Sequence, residues 1–164
     1  MYRTGLGYDN HRLVSGRRFV LGGVEIPASV GEDAHSDGDV LLHALCDALY
    51  GAVGKGDIGE HFSDTDEQWK NRASVQFLEH AARTVRDAGY RLVNIDATVL
   101  LEKVKLSPHK ARIAQNIRNS LKPFWALAED SVNIKAKTKE RCDSVGRGDA
   151  VEALVSVLVE LERK

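Results

Sequence analysis

Between Ala150 and Glu162 the residues Val151, Ala153, Val155, Val157, Val159 and Leu161 are apolar at every second position, with Glu152, Ser156, Glu160 and Glu162 among them. A helix would gather its apolar residues at three- and four-residue steps, whereas a period of two is that of a strand with one face against a core. The chain must therefore build a sheet and cover it. Leu154 and Leu158 fall on the opposite side of the same strand. Both faces then carry apolar surface, and a subunit interface is expected on the second.

The cover comes from helices. From Asp37 to Val53, Val40, Leu41, Ala44, Leu45, Ala48, Leu49 and Ala52 recur at helical spacing, with Gly54 and Gly56 as stops. A second helix is expected from about Asn71 to Ala88, ended by Gly89, and a third from about His109 to Leu121, ended by Pro123. Residues 2–9, 92–101 and 132–136 read as further strands, and 18–26 as a small hairpin turning at Gly22-Gly23 before Pro27. Residues 1–164 thus form a single α/β domain, an α+β two-layer sandwich with a four-stranded mixed sheet and helices on one face.

Charge excludes some roles. Lys and Arg total 23 against 24 Asp and Glu, so there is no overall positive field for nucleic acid or an anionic membrane. Cys46 and Cys142 show no C-x-x-C spacing, which suits reduced thiols. With no apolar leader and no membrane-length window, a cytoplasmic location is expected.

Asp9 and His11, two apart on a strand, point to one side, and His43 sits on the first helix. One carboxylate and two imidazoles suit zinc with a fourth position left open, the arrangement of a catalytic ion. Asp39 and Asp47 lie four residues either side of His43, so either could hold its second ring nitrogen, or the three could form a solvated helix face. His35 and Ser36 precede Asp37-Gly38-Asp39 at the helix start, where unpaired N–H groups can receive a phosphate.

Other segments leave two readings open. Gly56-Asp57-Ile58-Gly59 and Phe62-Ser63-Asp64-Thr65-Asp66 form an acidic, glycine-punctuated stretch that either binds a polyol or is a solvated turn. Lys135, Lys137 and Lys139 alternate on one strand face, with Glu140, Arg141 and Arg147 in the turn beyond. They either receive phosphate or guard an edge strand. Glu140 could hold a hard cation such as magnesium. His61 and His80 read as surface residues.

Taken together, Gly7-Tyr8-Asp9-Asn10-His11, His35-Ser36-Asp37-Gly38-Asp39 with His43-Ala44-Leu45 and Asp47-Ala48-Leu49, Gly56-Asp57-Ile58-Gly59, and Val132-Asn133-Ile134-Lys135-Ala136 resemble the 2-C-methyl-D-erythritol 2,4-cyclodiphosphate synthase family. The likeness spans nearly the whole chain. It implies a phosphorus-oxygen lyase of the non-mevalonate isoprenoid route, a homotrimer with sheets around a three-fold axis and active sites between neighbouring subunits. The substrate implied is 4-diphosphocytidyl-2-C-methyl-D-erythritol 2-phosphate, closed to the cyclic diphosphate with release of CMP.

The resemblance also assigns residues. Zn2+ or another divalent transition metal falls to Asp9, His11 and His43, and Mg2+ or Mn2+ accompanying the diphosphate to Glu140. His35 and Thr138 match the positions that stabilise the transition state. Asn10 and Ser36 match substrate-binding positions, and Asp57, Ile58 and Gly59 with the stretch Phe62, Ser63, Asp64, Thr65 and Asp66 surround the sugar-like part of the substrate. The segment Leu101 to Ser107, including Lys105, together with Ala136, Lys137, Thr138 and Lys139, matches the cytidine-diphosphate region, contributed by the adjacent subunit, with Ser144 nearby. Arg147 matches an arginine at the trimer axis. The chain departs from the family at Lys137 and Lys139, where small or hydroxyl residues are usual, near Ser144, where an aromatic is usual, and at Ser63 and near Val104, where proline is. Two other classes share the open metal position: a zinc phosphoesterase using water as nucleophile, and a zinc-stabilised binding module.

Overall fold

The computed structural model describes residues 1–34, 37–62 and 72–162. Strands β1 (Tyr2–Ser15), β2 (Phe19–Leu21), β3 (Val24–Ile26) and β4 (Val30–Glu32) lead into helix α1 (Val40–Val53). Then come α2 (Ile58–His61), α3 (Ser74–Asp87), β5 (Tyr90–Leu100), α4 (Lys110–Leu121), β6 (Val132–Lys137), α5 (Asp143–Arg147) and β7 (Ala150–Leu161). The main sheet has the order β4-β1-β7-β5-β6, and β2 and β3 form a separate hairpin. Only β5 and β6 run parallel; the other pairs are antiparallel. The sheet is mixed, as expected, but five-stranded rather than four-stranded.

The fifth strand arises because β1 continues past Asn10 to Ser15, where Leu13, Val14 and Ser15 pair with Glu32, Gly31 and Val30. A three-residue strand is too short for a period to register. Gly31 is required there, since a Cβ would stand 2.2 Å from the Arg18 carbonyl oxygen.

The alternation of β7 divides the two faces. Val151, Ala153, Val155, Val157 and Val159 are at most 1% exposed under the helices, while Leu154 is 37% exposed on the far side. Tyr8 pairs with Leu154 and Leu6 with Ser156, so Leu6, at 71% exposure, and Tyr8, at 49%, extend that open apolar face. Among the described residues no helix is long and apolar enough to cross a membrane.

Helix α1 lies closest to the sheet. On β1 the covered side is Gly5, Gly7, Asp9 and His11, and a Cβ at Gly5 or Gly7 would stand 1.8 Å from the carbonyl oxygens of Ala48 and Ala44 respectively. Strand and helix therefore touch main chain to main chain. This contact brings the second turn of α1, with His43, beside Asp9 and His11.

Candidate metal centre

His11 Nε2 lies 3.0 Å from Asp9 Oδ2, His43 Nδ1 lies 3.2 Å from the same oxygen, and the two ring nitrogens are 3.3 Å apart. Three donors each about 2.0–2.1 Å from a tetrahedral ion stand about 3.3 Å from one another. The spacing thus fits a divalent transition metal, and these are the residues among those described whose donor atoms cluster for one. With Asp9 27% exposed and each ring 13%, the open side faces solvent. A phosphate could reach it.

The second ring nitrogens are held by partners of their own. His11 Nδ1 faces two acceptors, Glu32 Oε2 at 2.6 Å and the Gly38 carbonyl at 2.9 Å, so it carries the proton. His43 Nε2 donates to Ser74 Oγ at 2.9 Å, and that hydroxyl donates onward to Asp37. The Ser74 amide also donates to both Asp37 oxygens, at 3.1 Å each. Such outer partners orient a ligand ring and raise its basicity.

This corrects the expectation for Asp39 and Asp47. Asp39 is fully buried and caps α1, accepting from Leu42 N, and it also accepts from Gly22 N and Gly23 N. Asp47 accepts from Ile58 N at 2.8 Å. Backbone N–H groups claimed both carboxylates, and neither touches His43 in the way expected. Ser74 does so from the start of α3, a role not anticipated from the sequence. Glu32 was missed altogether, because it rides on the unpredicted β4.

The same contacts shift the ionisable groups. Burial would raise Asp9, but hydrogen bonds from His11 and His43 hold it down at about 2. Burial opposes protonation of His11, yet Asp9 and Glu32 push its ring up to about 10. Burial pushes the Glu32 carboxyl up to about 8 against the pull of His11. Two carboxyl groups thus flank one imidazole, Asp9 ionised on the open side and Glu32 buried behind the ring.

The remaining expected residues form separate groups. Asn10 is exposed on the open face and reaches Tyr8. Asp57 caps α2 through Glu60 N, Ile58 is half-buried, Gly59 is exposed, and Phe62 packs on Phe77 with ring centroids 4.6 Å apart. His61 is half-buried, stacked on Tyr50, whose hydroxyl meets His80 Nδ1. His35, Ser36, Ser63, Asp64, Thr65 and Asp66 lie outside the described residues.

A second cluster gathers beyond β5 and β6. Leu101 N donates to the Lys137 carbonyl, Lys139 N to Glu102, and Lys103 Nζ to the Gly148 carbonyl. Lys105 and Lys137 are exposed, Ala136 is half-buried, and Thr138 Oγ1 donates to Glu140 Oε1 at 2.7 Å. The strand stops at Lys137, so Lys139 does not continue a lysine stripe: it pairs with Asp143 at 2.9 Å and Glu152 at 2.8 Å. Glu140, Arg141 and Asp143 all take left-handed φ, of 50°, 63° and 58°, a costly conformation for residues with a Cβ. Gly146 packs on this turn, where a Cβ would stand 2.3 Å from the Arg141 carbonyl carbon. Ser144 is half-buried on α5, and Arg147 reaches Asp149 at 3.2 Å.

Register separates the two clusters. Asn10 pairs with Glu152, Glu152 with Leu100, and Leu100 with Lys137. They share one row of the sheet, but three strand spacings put Lys137 about 14 Å from the metal-side strand.

The sequence profile of the YgbB family matches residues 2–160. The chain is 50% identical over 163 residues to the 2-C-methyl-D-erythritol 2,4-cyclodiphosphate synthase of Desulfosudis oleivorans, covering 99% of this chain and 95% of that one. It resembles the solved bifunctional IspDF of Campylobacter jejuni with TM-score 0.93 and 40% identity, over 99% of this chain, and spans 43% of that longer protein. A 2C-methyl-D-erythritol-2,4-cyclodiphosphate synthase solved in a CDP-bound form matches with TM-score 0.87 and 38% identity, over 96% of this chain and 100% of its own length.

Proposed function

The chain belongs to the YgbB family, and on that premise we propose that it converts 4-diphosphocytidyl-2-C-methyl-D-erythritol 2-phosphate to 2-C-methyl-D-erythritol 2,4-cyclodiphosphate and CMP, in isoprenoid biosynthesis. Residues 1–164 act as one synthase domain, in the cytoplasm. The observation that carries the reading is the solvent-facing convergence of Asp9, His11 and His43 in a chain half identical to a synthase of that name.

An oxygen of the 2-phosphate forms a bond to the β-phosphorus while the bond from that phosphorus to the bridging oxygen breaks, and CMP leaves with that oxygen. No water is consumed, so the protein has to fold the substrate back on itself and offset charge at phosphorus. When bound, zinc or another divalent transition metal at Asp9, His11 and His43 supplies a Lewis acid and template for a phosphate oxygen, and Mg2+ or Mn2+ at Glu140 offsets charge on the diphosphate. His35 and Thr138 stabilise the developing charge. Asn10, Ser36, Asp57, Ile58, Gly59 and residues 62–66 hold the methylerythritol portion. Leu101, Lys105, Ala136, Lys137, Lys139 and Ser144 hold the cytidine diphosphate.

The active site is shared between subunits of a homotrimer. Two observations support this: the second cluster stands apart from the metal-side strand in one chain, and the open sheet face exposes Leu6, Tyr8 and Leu154, an apolar surface suited to burial against another copy. Arg147 lies near the axis.

Phosphorus resonances of substrate incubated with the protein and magnesium are expected to show a cyclic diphosphate plus CMP. An opened phosphate monoester would instead indicate a hydrolase using water. Lys137→Ala is expected to raise the substrate KM several-fold with little change in kcat, since an exposed cation near the diphosphate contributes binding more than chemistry. An unaltered KM would remove Lys137 from the pocket.

A further inference from the structure

Glu32 is an unusual residue to find beneath a metal centre. It is 2% exposed, and among the described residues its Oε1 has no hydrogen-bond partner, while Oε2 accepts from His11 Nδ1 at 2.6 Å and from Val40 N at 3.0 Å. A buried carboxylate oxygen without a partner is costly, so a fold does not retain one for packing alone. Helix capping does not account for it either. Asp39 already caps α1 through Leu42 N, and the shorter of the two contacts is the one to His11.

The backbone is arranged to deliver this side chain. Glu32 pairs with Leu13 in the sheet, so it reaches diagonally to His11, two residues earlier on the same face of β1. Gly38 makes room, since a Cβ there would stand 2.9 Å from Glu32 Cβ, and its φ of 77° turns the chain so that its carbonyl also meets Nδ1. Because that carbonyl is already an acceptor, His11 would keep its tautomer without Glu32. What Glu32 adds is the shorter contact to that nitrogen, 2.6 Å against 2.9 Å, which fixes the orientation of the ring.

Building on the metal reading of Asp9, His11 and His43, we propose that Glu32 is a positioning residue for the bound cation: its buried carboxyl grips His11 through Nδ1 and so holds the ring with Nε2 turned toward the ion. Zinc affinity, rather than the fold, is what Glu32 sets.

The test is zinc titration of the purified chain against a competing chromophoric chelator, for the natural protein and for Glu32→Gln, together with the melting temperature of each protein without metal. The glutamine is isosteric but puts an amide in place of the carboxyl that meets His11 Nδ1 and Val40 N. Glu32→Gln is expected to leave the metal-free melting temperature within a few degrees while weakening zinc binding about 10- to 100-fold. A purely structural role would shift the melting temperature and the affinity together. Glu32→Leu, which also removes both hydrogen bonds, is expected to weaken zinc at least as much, and it decides the matter if the glutamine variant fails to fold. Affinities within threefold of the natural protein in the folded variants would overturn the role of Glu32 and leave the metal reading standing. No zinc binding by the natural protein would overturn both.

Discussion

His43→Ala is expected to lower turnover by a factor of 10³ or more while the variant folds and assembles as the natural protein does. The imidazole supplies one of three donors within 3.3 Å of one another, and it is the only one that comes from a helix. Removing it leaves Asp9 and His11, two donors on one strand, which do not define a tetrahedral site. A Lewis acid contributes several kcal/mol of charge stabilisation, and each 1.36 kcal/mol is tenfold in rate, so a loss of about 10³-fold or more follows. The ring also donates to Ser74 Oγ and lies beside Phe77, but most of the core is aliphatic side chains packed between the helices and the sheet, which the substitution leaves in place. Turnover and bound zinc measured on the same preparation decide the point. Activity within tenfold of the natural protein would end the case for metal at this site.

Gly7→Ala has the largest expected effect on stability. The added carbon would stand 1.8 Å from the Ala44 carbonyl oxygen and 2.7 Å from Ala48 N, both main-chain atoms that no rotamer change can move. Helix α1 would have to lift from β1 by more than about 1 Å, opening the packed layer beneath it. A destabilisation above about 4 kcal/mol is expected, at the far end of what single substitutions do. Gly51→Ala provides the contrast, because nothing lies within 4 Å of that position on the same helix. It is expected to gain about 0.5–1 kcal/mol from helix propensity. Denaturant midpoints for the two variants should move in opposite directions, and an unchanged midpoint for Gly7→Ala would refute the backbone contact.

Much of this was legible in the chain because it is local. The alternation of β7 identified the strand and its buried side, the helical spacing of Val40 to Ala52 identified α1, and Asp9-x-His11 announced a carboxylate and an imidazole on one face. What escaped is what depends on distant partners. The three residues of β4 have no period, so the fifth strand, and Glu32 with it, appears only once β1 is seen to run on to Ser15. Asp39 and Asp47 sit at the right helical distance from His43, yet backbone N–H groups from the β2–β3 turn and the start of α2 claim them. Lys139 continues an alternation in sequence but not in space, since the turn after Lys137 bends it toward Asp143 and Glu152. Spacing proposes neighbours, and register chooses among them.

The glycine contact between β1 and α1 has one more implication. Asp9, His11 and His43 hang from two segments whose peptide groups abut with no side chain between them, so the gap between the donors is dictated by the polypeptide track itself. Repacking the surrounding aliphatic residues would alter the protein's melting behaviour long before it altered the bite of the three donors. The spacing of the three donors could therefore travel to another scaffold on a strand and a helix, provided both glycines travel with it and the new scaffold supplies partners for the two rings as Glu32 and Ser74 do here.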